Sequence, residues 1–81
     1  MPIDVIDGYV GPGYARADKP VFDTIRRVAR LEGVIFDPVY TGKAFDAMLR
    51  EIRKGRFADT SDIVFIHTGG IFGLFPQRAQ L

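Results

Sequence analysis

Ile63-Val64-Phe65-Ile66-His67-Thr68-Gly69-Gly70 is the stretch whose reading decides the fold. Its first residues are apolar without alternation, the habit of a parallel strand covered on both faces. Thr68-Gly69-Gly70 then breaks it. Asp59 to Asp62 is a polar turn before it, and Ile71 to Phe75 reads as a short helix before a polar tail. Upstream, the spacing of Ala44, Phe45, Met48, Leu49 and Ile52 predicts a helix over 42–54. Thr41 stands where a cap is wanted, Arg53 and Lys54 complement the carbonyl end, and Gly55 stops the helix. Val34-Ile35-Phe36 reads as a second short buried strand whose exit is Asp37-Pro38-Val39-Tyr40. A first helix runs from Asp18 as N-cap, with Pro20 in its first turn, to the stop at Gly33. Val21, Phe22, Ile25, Val28 and Ala29 form its apolar stripe, and Asp23 and Arg27 are spaced for an ion pair. Ile3 to Ile6 would be one more short strand.

Helix, strand, helix, strand fits right-handed parallel crossovers, so the expected class is α/β, with helices packed on a short, mainly parallel sheet. Two helices cannot cover both faces of such a sheet. Residues 1–81 therefore read as a single partial domain, the end of a larger α/β domain.

Composition narrows the function classes. A chain of 81 residues with 47% hydrophobic content is a folding sequence rather than a disordered one. It has no cysteine and only His67, which leaves no disulfide framework and no metal centre. Formal net charge is +1, so no global field recruits nucleic acid or anionic lipid. The basic groups Arg26, Arg27, Arg30 and Arg50, Arg53, Lys54, Arg56 are mixed with acids and read as solvated helix faces. No apolar run approaches the roughly 20 residues of a membrane span, and Asp4 and Asp7 stand where a signal peptide would be basic. A cytoplasmic chain is expected.

Two nucleotide-like features fail on spacing. Gly8, Gly11 and Gly13 reverse the G-x-G-x-x-G order, and no helix opens directly after them. Thr41-Gly42-Lys43 lacks the remaining P-loop residues, since Asp37 and Ala44 occupy their places. His67 alone reads as a hydrogen-bonded core histidine before a general base. Position is more informative. Ligands of parallel sheets sit beyond the carboxyl ends of strands, which puts Tyr40-Thr41 and His67-Thr68 on one edge. Tyr40 and Thr41 then read either as a packed ring and a cap, or as ligand-facing groups. The glycine-rich loop carrying Tyr9 and Tyr14 looks shaped for a purpose of its own.

The ordered series Asp7-Gly8-Tyr9-Val10-Gly11-Pro12-Gly13-Tyr14, Leu31-Glu32-Gly33, Asp37-Pro38-Val39-Tyr40-Thr41-Gly42-Lys43-Ala44 and Phe65-Ile66-His67-Thr68-Gly69-Gly70 resembles the C-terminal region of one family. It is the pyridoxal-phosphate-dependent D-cysteine desulfhydrase and 1-aminocyclopropane-1-carboxylate deaminase family. The resemblance implies the tryptophan-synthase-β-like architecture of fold type II enzymes, with pyridoxal 5'-phosphate in a cleft between two α/β domains. It implies that Tyr14 and Tyr40 face a small amino-acid substrate as the catalytic candidates. Tyr14 would position substrate; Tyr40 is left open between positioning and nucleophilic or acid–base assistance. It also implies that Thr68 meets the pyridine nitrogen, that Gly69 and Gly70 let the backbone approach the ring, and that Thr41 is a secondary cofactor contact.

Thr41 stands where the deaminases carry Glu, which favours the desulfhydrase side: α,β-elimination giving pyruvate, sulfide and ammonia. Ala15, the stretch Arg16-Ala17-Asp18-Lys19 and Ile71-Phe72-Gly73 depart from the family pattern and bear on substrate preference. The family's Schiff-base lysine, nucleophilic serine and phosphate loop belong to an N-terminal portion outside these residues. Lys43 does not replace that lysine. The isolated chain is therefore expected to be inactive, with the missing portion as its partner and a homo-oligomer as its state. The alternative is a non-catalytic α/β module that self-associates through unpaired strand edges.

Overall fold

The computed structural model describes residues 3–14 and 16–81, so the Ala15 departure lies outside the described residues. Two helices organise it: α1, Lys19–Glu32, and α2, Thr41–Arg53, followed by a 3₁₀ segment, Ile71–Gln80. α1 begins where expected. Asp18 is extended (φ −91°, ψ 174°), but its carboxylate makes no capping hydrogen bond, and its carbonyl takes the amides of Val21 and Phe22 instead. Pro20 sits in the first turn, where a missing amide costs nothing. Gly33 closes the helix in the left-handed region (φ 66°), returning its amide to the Ala29 carbonyl at 3.0 Å. Asp23 is held by Lys19 and Arg26 rather than by the expected Arg27.

Val21, Phe22 and Ile25 of α1 meet Phe36 to form the buried core, with Val28, Phe45, Phe65 and Leu74 packed around it. α2 behaves differently. Its buried positions are Thr41, Gly42, Asp46 and Glu51, while the predicted apolar face stays half covered or exposed. Asp46 explains part of this inversion. It accepts from Thr24 of α1 (2.8 Å) and pairs with Arg50 (3.0 Å), so a polar bridge locks the two helices. Ala44, Ala47 and Met48 instead line an open groove of about 380 Å³ with Ile6, Phe57 and Val64.

The expected sheet does not form among the described residues. Ile3–Ile6, Val34–Phe36 and Ile63–His67 carry no strand pairing, and an isolated bridge between Gly13 and Arg16 is the β contact described. Segments 34–36 and 63–67 still lie side by side: the Phe36 and Phe65 rings are 5.5 Å apart. A parallel ladder needs backbone partners at its edges and helices over its faces. Here Val64 and Ile66 are 86% and 76% exposed. The predicted short helix after Gly70 is the 3₁₀ segment, which kinks at Gln77 and buries no residue. No helix among the described residues is long and apolar enough to cross a membrane, and no metal-binding group of side chains occurs among them.

The chain exposes 6094 Å², where a self-contained globule of 9.0 kDa exposes about 4,850 Å². The radius of gyration, 13.0 Å, likewise exceeds the roughly 11.7 Å of a compact chain this long.

One carboxylate organises what lies between the helices. Asp37 and Pro38 are the largest fully buried side chains. Asp37 Oδ2 accepts from the amides of Val39 (2.8 Å) and Tyr40 (2.6 Å); Oδ1 accepts from the Thr41 amide (3.0 Å) and hydroxyl (2.6 Å). The Asp37 amide donates to Thr41 Oγ1 (3.0 Å), and its carbonyl receives the Gly42 amide (2.7 Å). Burial alone would push this carboxyl up, but the Thr41 hydroxyl and the three amides outweigh it and hold it below its ordinary value.

Because the folded-state value is the lower one, Asp37 stabilises the fold fully above its ordinary value of 3.8 and loses that contribution as pH falls through the folded-state value. Urea unfolding followed by circular dichroism should show wild type losing more stability than Asp37→Asn in that acid window. At pH 7 the Asn variant should be less stable by about 1–3 kcal/mol, because its NH₂ group faces amide donors. Gly42→Ala is the second test. A helix interior would favour Ala by about 1 kcal/mol. A Cβ there, however, collides with the Asp37 carbonyl and stands 2.8 Å from Ile25 Cδ1. Overpacking of about 1–3 kcal/mol should win, giving net destabilisation in the same assay.

Candidate functional site

Tyr40 immediately precedes α2, and its backbone amide is fixed by Asp37 at 2.6 Å, so the phenol leaves a rigid turn. Tyr14 comes from the glycine-rich loop, which polar contacts hold over α2. Lys43 Nζ donates to the Gly13 carbonyl (2.9 Å), and Tyr9 donates to Glu51 Oε2 (2.9 Å) while accepting from Lys54 Nζ (2.9 Å). Arg50 and Lys54 lie over the Tyr9 ring, 5.8 and 5.4 Å from its centroid. Glu51 also takes Arg56 Nε at 2.9 Å. The Tyr9 hydrogen bond first, and Arg56 next, hold the Glu51 carboxyl low; Tyr9 and Glu51 hold the Lys54 ammonium high.

These anchors bring the two predicted tyrosines together from positions 26 residues apart. Their hydroxyls meet at 2.7 Å and their rings stand edge to face, 6.1 Å between centroids. Both remain accessible, Tyr14 77% and Tyr40 57% exposed. They line an open cleft of about 420 Å³ with Tyr9, Val10, Val39 and Lys43. Tyr40 keeps its proton above the ordinary phenol value. Its hydrogen bond to Tyr14 is the main cause, followed by charge on Tyr14, burial and the nearby Asp37 carboxylate. Either hydroxyl can be the donor in the hydrogen bond between them.

The strand-end loop reaches the same neighbourhood through Asp37. Gly70 is left-handed (φ 89°), and a Cβ on it would stand 2.7 Å from Asp37 Oδ1, so only glycine lets this loop seat on the carboxylate. Thr68 is exposed, with no hydrogen bond to its hydroxyl among the described residues. A Cβ added at Gly69 would meet nothing within 4 Å. An exposed neutral hydroxyl beside a bare glycine face fits one edge of a planar heteroaromatic ring. Thr41 points elsewhere: it is buried, and its hydroxyl both donates to and accepts from Asp37. Lys43 is committed to Gly13.

His67 stands outside the cleft and is exposed rather than the core histidine expected, with its ring engaged by neighbouring groups. Its ring stacks on Phe36 at 5.0 Å, Nε2 meets the Ile35 carbonyl at 2.7 Å, and Nδ1 receives the Gly69 amide at 3.0 Å. Sequence reasoning missed Asp37 as the organiser of the site and Glu51 as the anchor of the loop. An Asp followed by Pro and, four residues on, by Thr is the pattern of an Asx turn running into a helix, and that signal was present. Nothing local marks Glu51, which differs from surface glutamates only in what folds onto it.

The family model of the pyridoxal-phosphate dependent enzymes matches residues 1–69. A Thermotoga maritima protein named "Putative 1-aminocyclopropane-1-carboxylate deaminase" is 46% identical over 78 residues, 96% of this chain and 24% of that protein. D-cysteine desulfhydrases of Yersinia pestis and Yersinia pseudotuberculosis are each 42% identical over 79 residues, 98% of this chain and 24% of theirs. The chain thus spans about a quarter of the length of these relatives. Matched over most of its residues, with its two cleft tyrosines in contact, the chain belongs to the family of pyridoxal-phosphate dependent enzymes.

Proposed function

We propose that these residues form the substrate-facing end of a lyase that performs α,β-elimination on a small sulfur amino acid, most like D-cysteine, releasing pyruvate, sulfide and ammonia. The observation that carries the reading is the 2.7 Å contact between the Tyr14 and Tyr40 hydroxyls on the wall of an open cleft. Bound pyridoxal phosphate supplies the electron sink for negative charge at the substrate α-carbon. Thr68 would hold its ring nitrogen, with Gly69 and Gly70 bringing the backbone close to the ring plane. A neutral hydroxyl does not keep that nitrogen protonated as a carboxylate would, which moderates the sink.

Tyr14 orients the substrate from the loop side. Tyr40 faces the departing sulfur as the candidate for positioning or acid–base assistance; its hydrogen bond to Tyr14 raises the phenol above its ordinary value, which keeps it protonated and makes it the weaker acid. Thr41 acts in this reading through Asp37, by holding the turn that aims Tyr40. Residues 1–81 are a partial domain, and its uncovered α2 groove and excess surface receive the remainder of the protein. A second reading, a self-associating module without catalysis, draws on the exposed Val64 and Ile66 edge. Sedimentation separates the two, because a discrete oligomer with regular sheet content would favour the module.

Grafting this chain in place of the matching quarter of the Yersinia pestis desulfhydrase tests the enzymatic reading. The graft should release sulfide from D-cysteine. Tyr40→Phe should lower kcat by about 10²–10⁴ if that proton is transferred, and Tyr14→Phe should raise KM more than it lowers kcat. A graft more active as a 1-aminocyclopropane-1-carboxylate deaminase would shift the substrate assignment. Full activity in Tyr40→Phe would remove its role. The isolated chain mixed with pyridoxal phosphate and D-cysteine should release no sulfide, and release above the protein-free rate would contradict the partial-domain reading.

A further inference from the structure

We infer that His67 is a positioning residue that sets how Thr68 is presented, by clamping the backbone on both sides of it. The inference rests on the reading of Thr68 as the partner of the cofactor ring. A carbonyl can only accept, so the 2.7 Å contact with Ile35 makes Nε2 the protonated nitrogen. Nδ1 is then the acceptor, and the Gly69 amide donates to it at 3.0 Å. Only the neutral imidazole satisfies both contacts, and stacking on Phe36 fixes the ring plane in which they lie.

Thr68 therefore stands between a residue tied to the neighbouring segment and a residue tied to that tie. One step further, Gly70 is seated on the Asp37 carboxylate. Both flanks of Thr68 are pinned while its own side chain stays exposed. A hydroxyl offered from a fixed backbone loses little freedom on meeting a ligand, and its direction is set before binding. The same contacts leave no ring nitrogen over for proton transfer, so His67 acts through Thr68 rather than on substrate.

The test compares His67→Gln, whose amide keeps one donor and one acceptor, with His67→Phe, which keeps the stack and neither. In the full ¹⁵N-labelled chain, long-range ¹H–¹⁵N correlation should show the Nε2-protonated neutral form. Hydrogen exchange at Gly69 should quicken roughly fivefold or more in His67→Phe and stay near wild type in His67→Gln. Unchanged Phe22 and Ile25 amides would show that α1 stands. An Nδ1-protonated ring, or a Gly69 amide indifferent to His67→Phe, overturns the inference; if His67→Phe unfolds, the tautomer and the Gln variant decide it.

Absorbance of bound pyridoxal phosphate in the Yersinia graft separates this inference from its premise. Thr68→Ala should shift the band, and His67→Phe should shift it the same way, with His67→Gln restoring it. No shift in Thr68→Ala removes the reading of Thr68 itself. A shift in Thr68→Ala with none in His67→Phe overturns the clamp alone.

Discussion

The turn that aims Tyr40 at the cleft depends on a charge that no solvent reaches. An ionised carboxylate taken out of water is costly by several kcal/mol unless donors occupy both oxygens. Asp37 is supplied by its own downstream neighbours, the amides of residues 39–41 and the Thr41 hydroxyl. Satisfying that charge therefore closes the chain into one turn, starts α2 at Thr41 and sends the Tyr40 ring outward. The two glycines that touch Asp37 follow from the same demand. Gly42 must come close enough to bond the Asp37 carbonyl, and Gly70 must lie on the carboxylate, so neither position has room for a Cβ.

α2 shows what this arrangement leaves unfinished. A helix on the outside of a complete domain buries its apolar stripe and exposes its charges. Here Asp46 and Glu51 are the buried members, each matched by hydroxyl and cationic partners, while Met48 and its neighbours line an open groove. Both faces of α2 are thus built for contact: the polar one is already used, against α1 and the tyrosine loop. The apolar one is continuous with the exposed Val64 and with Ile63 and Phe65. That surface has the composition of a domain interior, in a chain that spans about a quarter of the length of its relatives.

The same imbalance decides what could be read in the sequence. Both helices were legible, because a 3.6-residue stripe closed by a glycine is a local signal, and in α1 Pro20 marks the start as well. Strands 34–36 and 63–67 were legible only as tendencies. Val64 and Ile66 are apolar but exposed, and the two segments lie alongside one another without a ladder. The core at Val21, Phe22 and Ile25 followed from periodicity, but the burial of Asp46 and Glu51 did not, since charge in a helix ordinarily signals solvent. The meeting of Tyr14 with Tyr40 was not deducible from spacing either. It depends on Lys43 and Glu51 catching a loop from 30 and 42 residues away.

The two phenols are held by unequal means, and the inequality bears on their chemistry. Tyr40 is fixed by a buried network that no salt screens and that cannot open without exposing Asp37. Tyr14 hangs from a loop whose ties are a lysine-to-carbonyl bond and the Tyr9–Glu51–Lys54 cluster, in which Lys54 is solvent-exposed. These ties are part-buried polar contacts rather than a packed core, and segments held by such contacts open more readily. A proton carrier needs a constant place relative to the reacting bond, whereas a residue that receives substrates of slightly different shape needs freedom to adjust. The structure distributes rigidity in that order, with Tyr40 on the fixed side and Tyr14 on the yielding one. The two phenols thus differ in how each is anchored, Tyr40 by a turn built on a buried carboxylate and Tyr14 by a loop caught from α2.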